Sequence, residues 1–126
     1  RAILESACAG LAAEEGVDIS GIRDSYEESK AALGKGDYSQ YASQNRDFHS
    51  EIWAAAGNKK MENMIAELWN GLSMGNMVTE QEYTKISIEE HGRIMDAIAA
   101  GDGERAKKEM YAHIMRSRDD MLTYYQ

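Results

Sequence analysis

Apolar residues recur along this chain with a helical period, and no segment shows the strict alternation of a half-buried strand. From Tyr38 to Ala56 the apolar positions Tyr38, Tyr41, Ala42, Phe48, Ile52, Trp53 and Ala56 follow i, i+3, i+4 spacing. Ile88, Ile94, Met95 and Ile98 form a second stripe, and Ala106, Met110, Ile114 and Met121 a third. The stripes are separated by turn and cap signals at Gly16-Val17-Asp18, Gly34-Lys35-Gly36-Asp37, Gly57-Asn58 and Gly101-Asp102-Gly103. The polar segment Thr79 to Lys85 reads as a further break. About six helices are predicted, over residues 1–14, 19–33, 37–56, 59–77, 86–100 and 102–125. Asp37 is expected to cap the third and Asp102 the last, while Gly34, Gly57 and Gly101 suit C′ positions. Only Glu80 to Ser87 leaves room for a strand, so the expected fold is all-α.

Four polar residues interrupt the apolar stripes without breaking their register. Asn45 and His49 lie in the first, His91 in the second and His113 in the third. An unpartnered polar group in an apolar interior costs about 1–3 kcal/mol. A single such histidine is most simply a core residue bonded to a nearby carbonyl or carboxylate. Three on three helices, all in the core-facing register, are expected to converge on one point. Convergent imidazoles without a cysteine partner suit a first-row divalent metal, commonly Zn²⁺, with Ni²⁺ and Mn²⁺ as alternatives. Asn45 and His49 are one turn apart and can reach the same ion. Neutral ligands leave the ion's charge uncompensated, so the site calls for an anion, most simply the carboxylate of a small organic acid.

The 126 residues fit one domain. A formal net charge of −8 argues against this chain gripping a phosphate backbone by itself. Proline is absent, so no helix break is forced. A single cysteine excludes an internal disulfide and fits a reducing, cytoplasmic setting. No apolar run is long enough to span a bilayer and no signal peptide is visible, so no membrane partner is expected. The chain opens at Arg1, already in helical register, and is expected to be part of something longer.

Several residues admit two readings. Arg1 shares a register with Leu4, Cys8 and Leu11. It either points inward, where it could clamp an effector carboxylate, or frays at the terminus. Met61, Met64, Leu68, Leu72, Met74 and Met77 could wall a pocket or a dimer interface, although ordinary core packing is the simpler role for most. Gly71 and Gly75 suit a close approach or a kink. Trp53 and Trp69 read as core, and Cys8 as an inert buried thiol. Asp47 and Glu51 lie off the stripe, and Arg116, Arg118, Asp119 and Asp120 read as a solvated face.

Taken together, Asn45-Arg46-Asp47-Phe48-His49 and Ala55-Ala56-Gly57-Asn58 resemble the N/D-x-x-F-H…A-x-G-N signature of the FCD domain. This is the ligand-sensing C-terminal domain of FadR-type GntR transcriptional regulators. Glu90-His91-Gly92-Arg93-Ile94 through Gly101-Asp102 is similar to the family's E-H-x-x-I-x-x-A-I-x-x-G-D block. Ala106 through His113 and the opening Arg1-Ala2-Ile3-Leu4-Glu5 resemble its A-x-x-x-M-x-x-H ending and R-x-x-L-E start. The resemblance covers nearly the whole chain. It implies an antiparallel bundle of six to seven helices with a central metal and effector pocket. Its metal ligands carry over to Asn45, His49, His91 and His113, with Asn45 standing where the family usually has Asp. It further implies a small carboxylate effector, a homodimer, and DNA contact only through a winged helix-turn-helix domain absent from this chain. The family's arginine at the first position supports Arg1 as an effector contact.

Two other functions fit the same residues. Three histidines with an open coordination position could activate water in a helical metalloenzyme. A di-iron carboxylate bundle is excluded because no Glu-x-x-His pair occurs. The remaining alternative is a structural dimerisation domain with a vestigial site, which Asn45 in place of Asp would fit.

Overall fold

A computed structural model describes residues 1–72 and 81–124, with side chains placed for 1–69 and 81–119. All regular structure among these residues is helical. The elements are α1 (Ala2–Ala12), α2 (Ser20–Gly34), α3 (Tyr41–Ala56), α4 (Lys59–Leu72), α5 (Gln81–Ala99) and α6 (Gly103–Tyr124). The turn chemistry sets most boundaries. Gly57 and Gly101 end α3 and α5 at φ 74° and 71°, in the left-handed region that favours glycine. Asp102 Oδ1 accepts the Arg105 N–H at 3.1 Å and caps α6 as expected.

Three expectations need correction. The third helix starts at Tyr41, not at 37, because Asp37 Oδ1 accepts the Ser39 N–H at 3.0 Å and closes a turn of its own. After α2, it is Gly36 and not Gly34 that takes the positive φ, at 72°. Residues 81–85 are the first turn of α5 and not a break. Tertiary contacts explain that turn: Tyr83 meets Tyr41 edge-on at 6.4 Å, its hydroxyl reaches Ser117 Oγ at 2.8 Å, and Thr84 is buried. The expected residues 73–77, 79, 80 and 125 lie outside those described, and so do Met74, Gly75 and Met77. The side chains of Gly71, Leu72, Asp120 and Met121 also lie outside the description.

The cross-helix contacts fix the directions of packing. Tyr83 with Ser117, Glu90 with His113, and Arg93 with Glu109 make α5 and α6 antiparallel. In α1 and α6, Gly103 approaches the Gly10 backbone so closely that an added Cβ would lie 3.3 Å from the Gly10 carbonyl oxygen. Helix α3 runs parallel to α5, because Tyr41 bonds Ser87 while Phe48 stacks on His91 seven residues further along α3. Phe48, Ile52, Trp53, Ile65, Ile94 and Met110 form the centre of the core. Met64 and Leu68 instead face outward, 45% and 43% exposed, and Ala42 is also exposed, so these three do not pack in the core. No described helix is long and apolar enough to cross a membrane.

Candidate metal centre

The three stripe histidines meet inside the bundle. His49 from α3, His91 from α5 and His113 from α6 are all buried, and each offers a ring nitrogen within 4.8 Å of the others. His113 Nε2 lies 3.2 Å from His91 Nε2 and 3.3 Å from His49 Nε2. Metal–nitrogen bonds of about 2.1 Å at octahedral or tetrahedral angles separate neighbouring nitrogens by about 3.0–3.4 Å. His113 therefore stands at coordination spacing from both His91 and His49.

Two carboxylates hold the rings from behind. His49 Nδ1–H donates to Glu5 Oε1 at 2.6 Å, and His113 Nδ1–H donates to Glu90 Oε1 at 2.7 Å. Each carboxylate is itself anchored by an arginine. Arg1 Nε reaches Glu5 Oε2, and Arg116 Nε lies 3.0 Å from both oxygens of Glu90. With the Nδ1 protons committed to the carboxylates, the Nε2 atoms of His49 and His113 carry lone pairs that face each other. No hydrogen bond can form between those two atoms; His91 Nε2–H can donate to His113 Nε2 at 3.2 Å, and a cation among the rings would engage both lone pairs.

His91 is held differently. Its ring stacks on Phe48 at 4.2 Å between centroids, and its Nδ1 is buried with no protein partner. Asn45 Oδ1, one turn before His49, is likewise buried and unpartnered. Asn45 thus carries an unsatisfied amide oxygen one turn from His49, and the three convergent nitrogens fit a divalent ion.

Burial sets the electrostatics. It drives the His91 imidazole well below its ordinary pKa of 6.5. Burial also carries His113 down to about 4, with the neighbouring His49 adding to the effect and Glu90 opposing it. For Glu5, burial alone would raise the carboxyl. His49, Arg1 and the Trp53 Nε1–H, which donates to Oε1 at 3.0 Å, outweigh it and hold the group at about 2. Glu90 is lowered too: burial again opposes, and its bonds to His113 and Arg116 prevail. The centre thus has two anionic carboxylates, two arginines, and in His91 and His113 imidazoles poised in the neutral, metal-binding form.

Arg1 points inward, as one of the two readings had it. Its guanidinium lies over the Trp69 ring at 4.2 Å while its Nε pairs with Glu5. Arg116 is not part of a solvated face. It pairs with Glu90 and lies over Tyr83 at 5.1 Å, whereas Arg118 and Asp119 do pair at the surface. Asp47 and Glu51 are exposed, and Cys8, Trp53 and Trp69 are buried, all as expected. Stripe reading missed Glu5 and Glu90 as supports of the ring nitrogens. For Glu5 a signal existed: a carboxylate one turn from Arg1 on the Cys8 face of α1 is as anomalous as a histidine in a stripe.

Helices gathered around buried, carboxylate-backed histidines are the setting in which the family match falls. The chain belongs to the FCD domain family, whose sequence profile matches residues 1–116. It is also similar to the HTH-type transcriptional regulator LutR of Bacillus subtilis (strain 168), at 30% identity over 139 aligned positions. That alignment takes in all of this chain and 61% of the regulator's length.

Proposed function

We propose that this chain is the effector-sensing domain of a GntR-type transcriptional regulator of the FadR subfamily. In this reading a small organic acid binds at a divalent metal, and its binding controls DNA contact by an attached winged-helix domain. Asn45, His49, His91 and His113 would hold the ion, with Zn²⁺ the first candidate and Ni²⁺ or Mn²⁺ the alternatives. The observation that carries the proposal is the approach of His113 Nε2 to the Nε2 atoms of His91 and His49 at coordination spacing, with two of the rings fixed by carboxylates. A bound divalent ion supplies positive charge and an open position for a carboxylate.

The chain's own residues do the rest. Glu5 and Glu90 fix two ring orientations, and the surrounding apolar packing excludes water, which strengthens attraction to an anion. Arg1, held inward over Trp69, would be a second contact for the acid. Both carboxylates at the centre are engaged behind histidines, which leaves neither placed as a general base, and this favours a sensor over the enzyme reading. Regulation follows if the acid binds one arrangement of a homodimer more tightly than another.

Equilibrium dialysis with elemental analysis tests the metal. One divalent ion per chain is expected at neutral pH, lost in His49→Ala. A thermal-shift screen of the metal-loaded chain against di- and tricarboxylates, sugar acids and aromatic acids tests the effector. Retention of no divalent ion by the native chain would sink the reading.

A further inference from the structure

Helix α4 carries more apolar surface than the bundle covers. It packs against α3 and α1 and buries Ile65 and Trp69 in the core. Trp69 meets the His49 ring at 5.1 Å between centroids, so this face looks onto the histidine centre. The apolar positions continue around the helix to Met61, Met64 and Leu68. Met61 is partly buried, while Met64 and Leu68 stand 45% and 43% exposed. Scattered single hydrophobics at a surface are ordinary, but these two lie on successive turns and continue the buried stripe. Their spacing with Met61 is that of a helix-to-helix seam, and methionine adapts its shape to what packs on it.

Charges along the outer flank of the stripe select its partner. Lys60 and Glu67 lie there, both exposed. They stand two turns apart, about 10 Å along the helix, which is too far for them to pair with each other. Lys59, by contrast, is paired with Glu62 within the helix at 2.8 Å. A two-fold axis beside Met64 sets a second α4 antiparallel to the first. Lys60 of each copy then meets Glu67 of the other, Met61 meets Leu68, and Met64 meets its own counterpart. A parallel pairing would instead oppose lysine to lysine and glutamate to glutamate, which is repulsive. The stripe and its charges are thus self-complementary, as a closed two-fold contact requires. Two copies each of net charge −8 repel one another at a distance, and two ion pairs across the seam offset that repulsion where the copies touch.

We propose that α4 is a dimerisation surface, on which a second copy of this chain docks antiparallel. Met61, Met64 and Leu68 form the seam, and Lys60 pairs with Glu67 on each side of the axis. This gives a surface to the homodimer that the sensor reading invokes, and it rests on none of that reading's metal or ligand. One helix of this length covers an area at the low end of specific interfaces, so a dissociation constant on the order of 10–100 µM is expected. In the dimer α4 holds the partner on one face and, through Trp69, touches His49 on the next.

Sedimentation equilibrium of this chain, from micromolar to near-millimolar concentration, tests the proposal. Reversible dimerisation is expected. Met64→Glu buries an unpaired charge in the seam and is expected to weaken association by about tenfold or more. Its melting temperature in dilute solution should stay unchanged, since Met64 is exposed in the single chain. Lys60→Glu alone, or Glu67→Lys alone, turns both ion pairs into repulsions and is expected to weaken association by about tenfold. The double exchange is expected to restore it to within about threefold. Ile86→Glu, at an exposed position of α5, is expected to change nothing. A chain that is monomeric throughout overturns the proposal, and so does a dimer that Met64→Glu leaves intact. Single exchanges without effect, or a double exchange that fails to restore association, overturn the antiparallel pairing. Lys60 and Glu67 are exposed, so their exchanges read the pairing even where Met64→Glu disturbs the fold. None of these results touches the sensor reading, which dialysis and the acid screen test by themselves.

Discussion

Glu5 accepts the Nδ1–H of His49 across 2.6 Å, with both side chains wholly buried. The pair joins the first helix to the third at the centre of the bundle and decides which nitrogen of His49 faces inward. Replacing the carboxylate by an amide keeps the shape and removes the charge. Glu5→Gln is therefore expected to weaken divalent-metal affinity by about 10–100-fold, the usual effect of losing such a support. Glu5→Ala is expected to go further and destabilise the fold by about 3–5 kcal/mol, because Arg1 is left buried beside Trp69 without its partner carboxylate. Competition against a chelating dye reads the first effect and urea unfolding the second. Unchanged metal affinity in Glu5→Gln would count against the centre being a metal site.

Asn45 offers a neutral oxygen that nothing in the protein satisfies. Asn45→Asp places a negative charge at the same distance from the three imidazoles. With metal present it is expected to tighten binding by about tenfold or more, since a desolvated charge–charge contact is readily worth about 1.4 kcal/mol. Without metal it is expected to lower the melting temperature, because the added charge is buried and unpaired. The crossover between the two conditions is diagnostic. A variant destabilised by the same amount with and without metal would show that Asn45 does not face the ion.

The three stripe histidines were legible because helical period is a local property, and a polar residue that keeps core register is visible without a structure. Their convergence was legible for the same reason. The supports were not. Whether Glu90 faces His113 or water depends on how α5 and α6 are rotated about each other, and sequence spacing does not contain that angle. Arg116 was misread for a related cause. Its neighbours Arg118 and Asp119 do lie at the surface, and only the partner helix reveals that Arg116 turns back to Glu90. The first turn of α5 was misread because its residues are polar by composition, while the Tyr83 hydroxyl is satisfied from α6 and Thr84 is buried.

Cys8 is fully buried, and burial, reinforced by Glu5 and Glu62, pushes its thiol up to about 11. Only the thiolate attacks thiol reagents, so both access and ionisation protect it. The native chain is expected to react with an aromatic disulfide reagent at mildly alkaline pH only as fast as it unfolds. In denaturant one thiol per chain should react at once. Fast labelling of the folded protein would place Cys8 outside the core.

Acid is expected to destabilise the metal-free chain in two stages. The folded state holds His113 at about 4 against an ordinary 6.5, and His91 lies well below 6.5. Between those limits the unfolded chain binds more protons than the folded one, so stability rises with pH across the interval. The stabilisation is complete above 6.5 and is lost as pH falls towards about 4. Glu5 adds a contribution of the same sign in a lower window, complete above 4.5 and lost as pH falls towards about 2. Urea midpoints measured in a metal chelator should therefore fall steadily from neutral pH down to about pH 4. With Zn²⁺ in excess the midpoints should be higher at neutral pH, and the advantage should shrink in acid as protons compete for the same nitrogens. His113→Phe removes one titrating ring and should flatten the metal-free profile between 6.5 and 4. If the midpoint of the metal-free native chain stays level across that range, the buried imidazoles are not the groups that acid must charge.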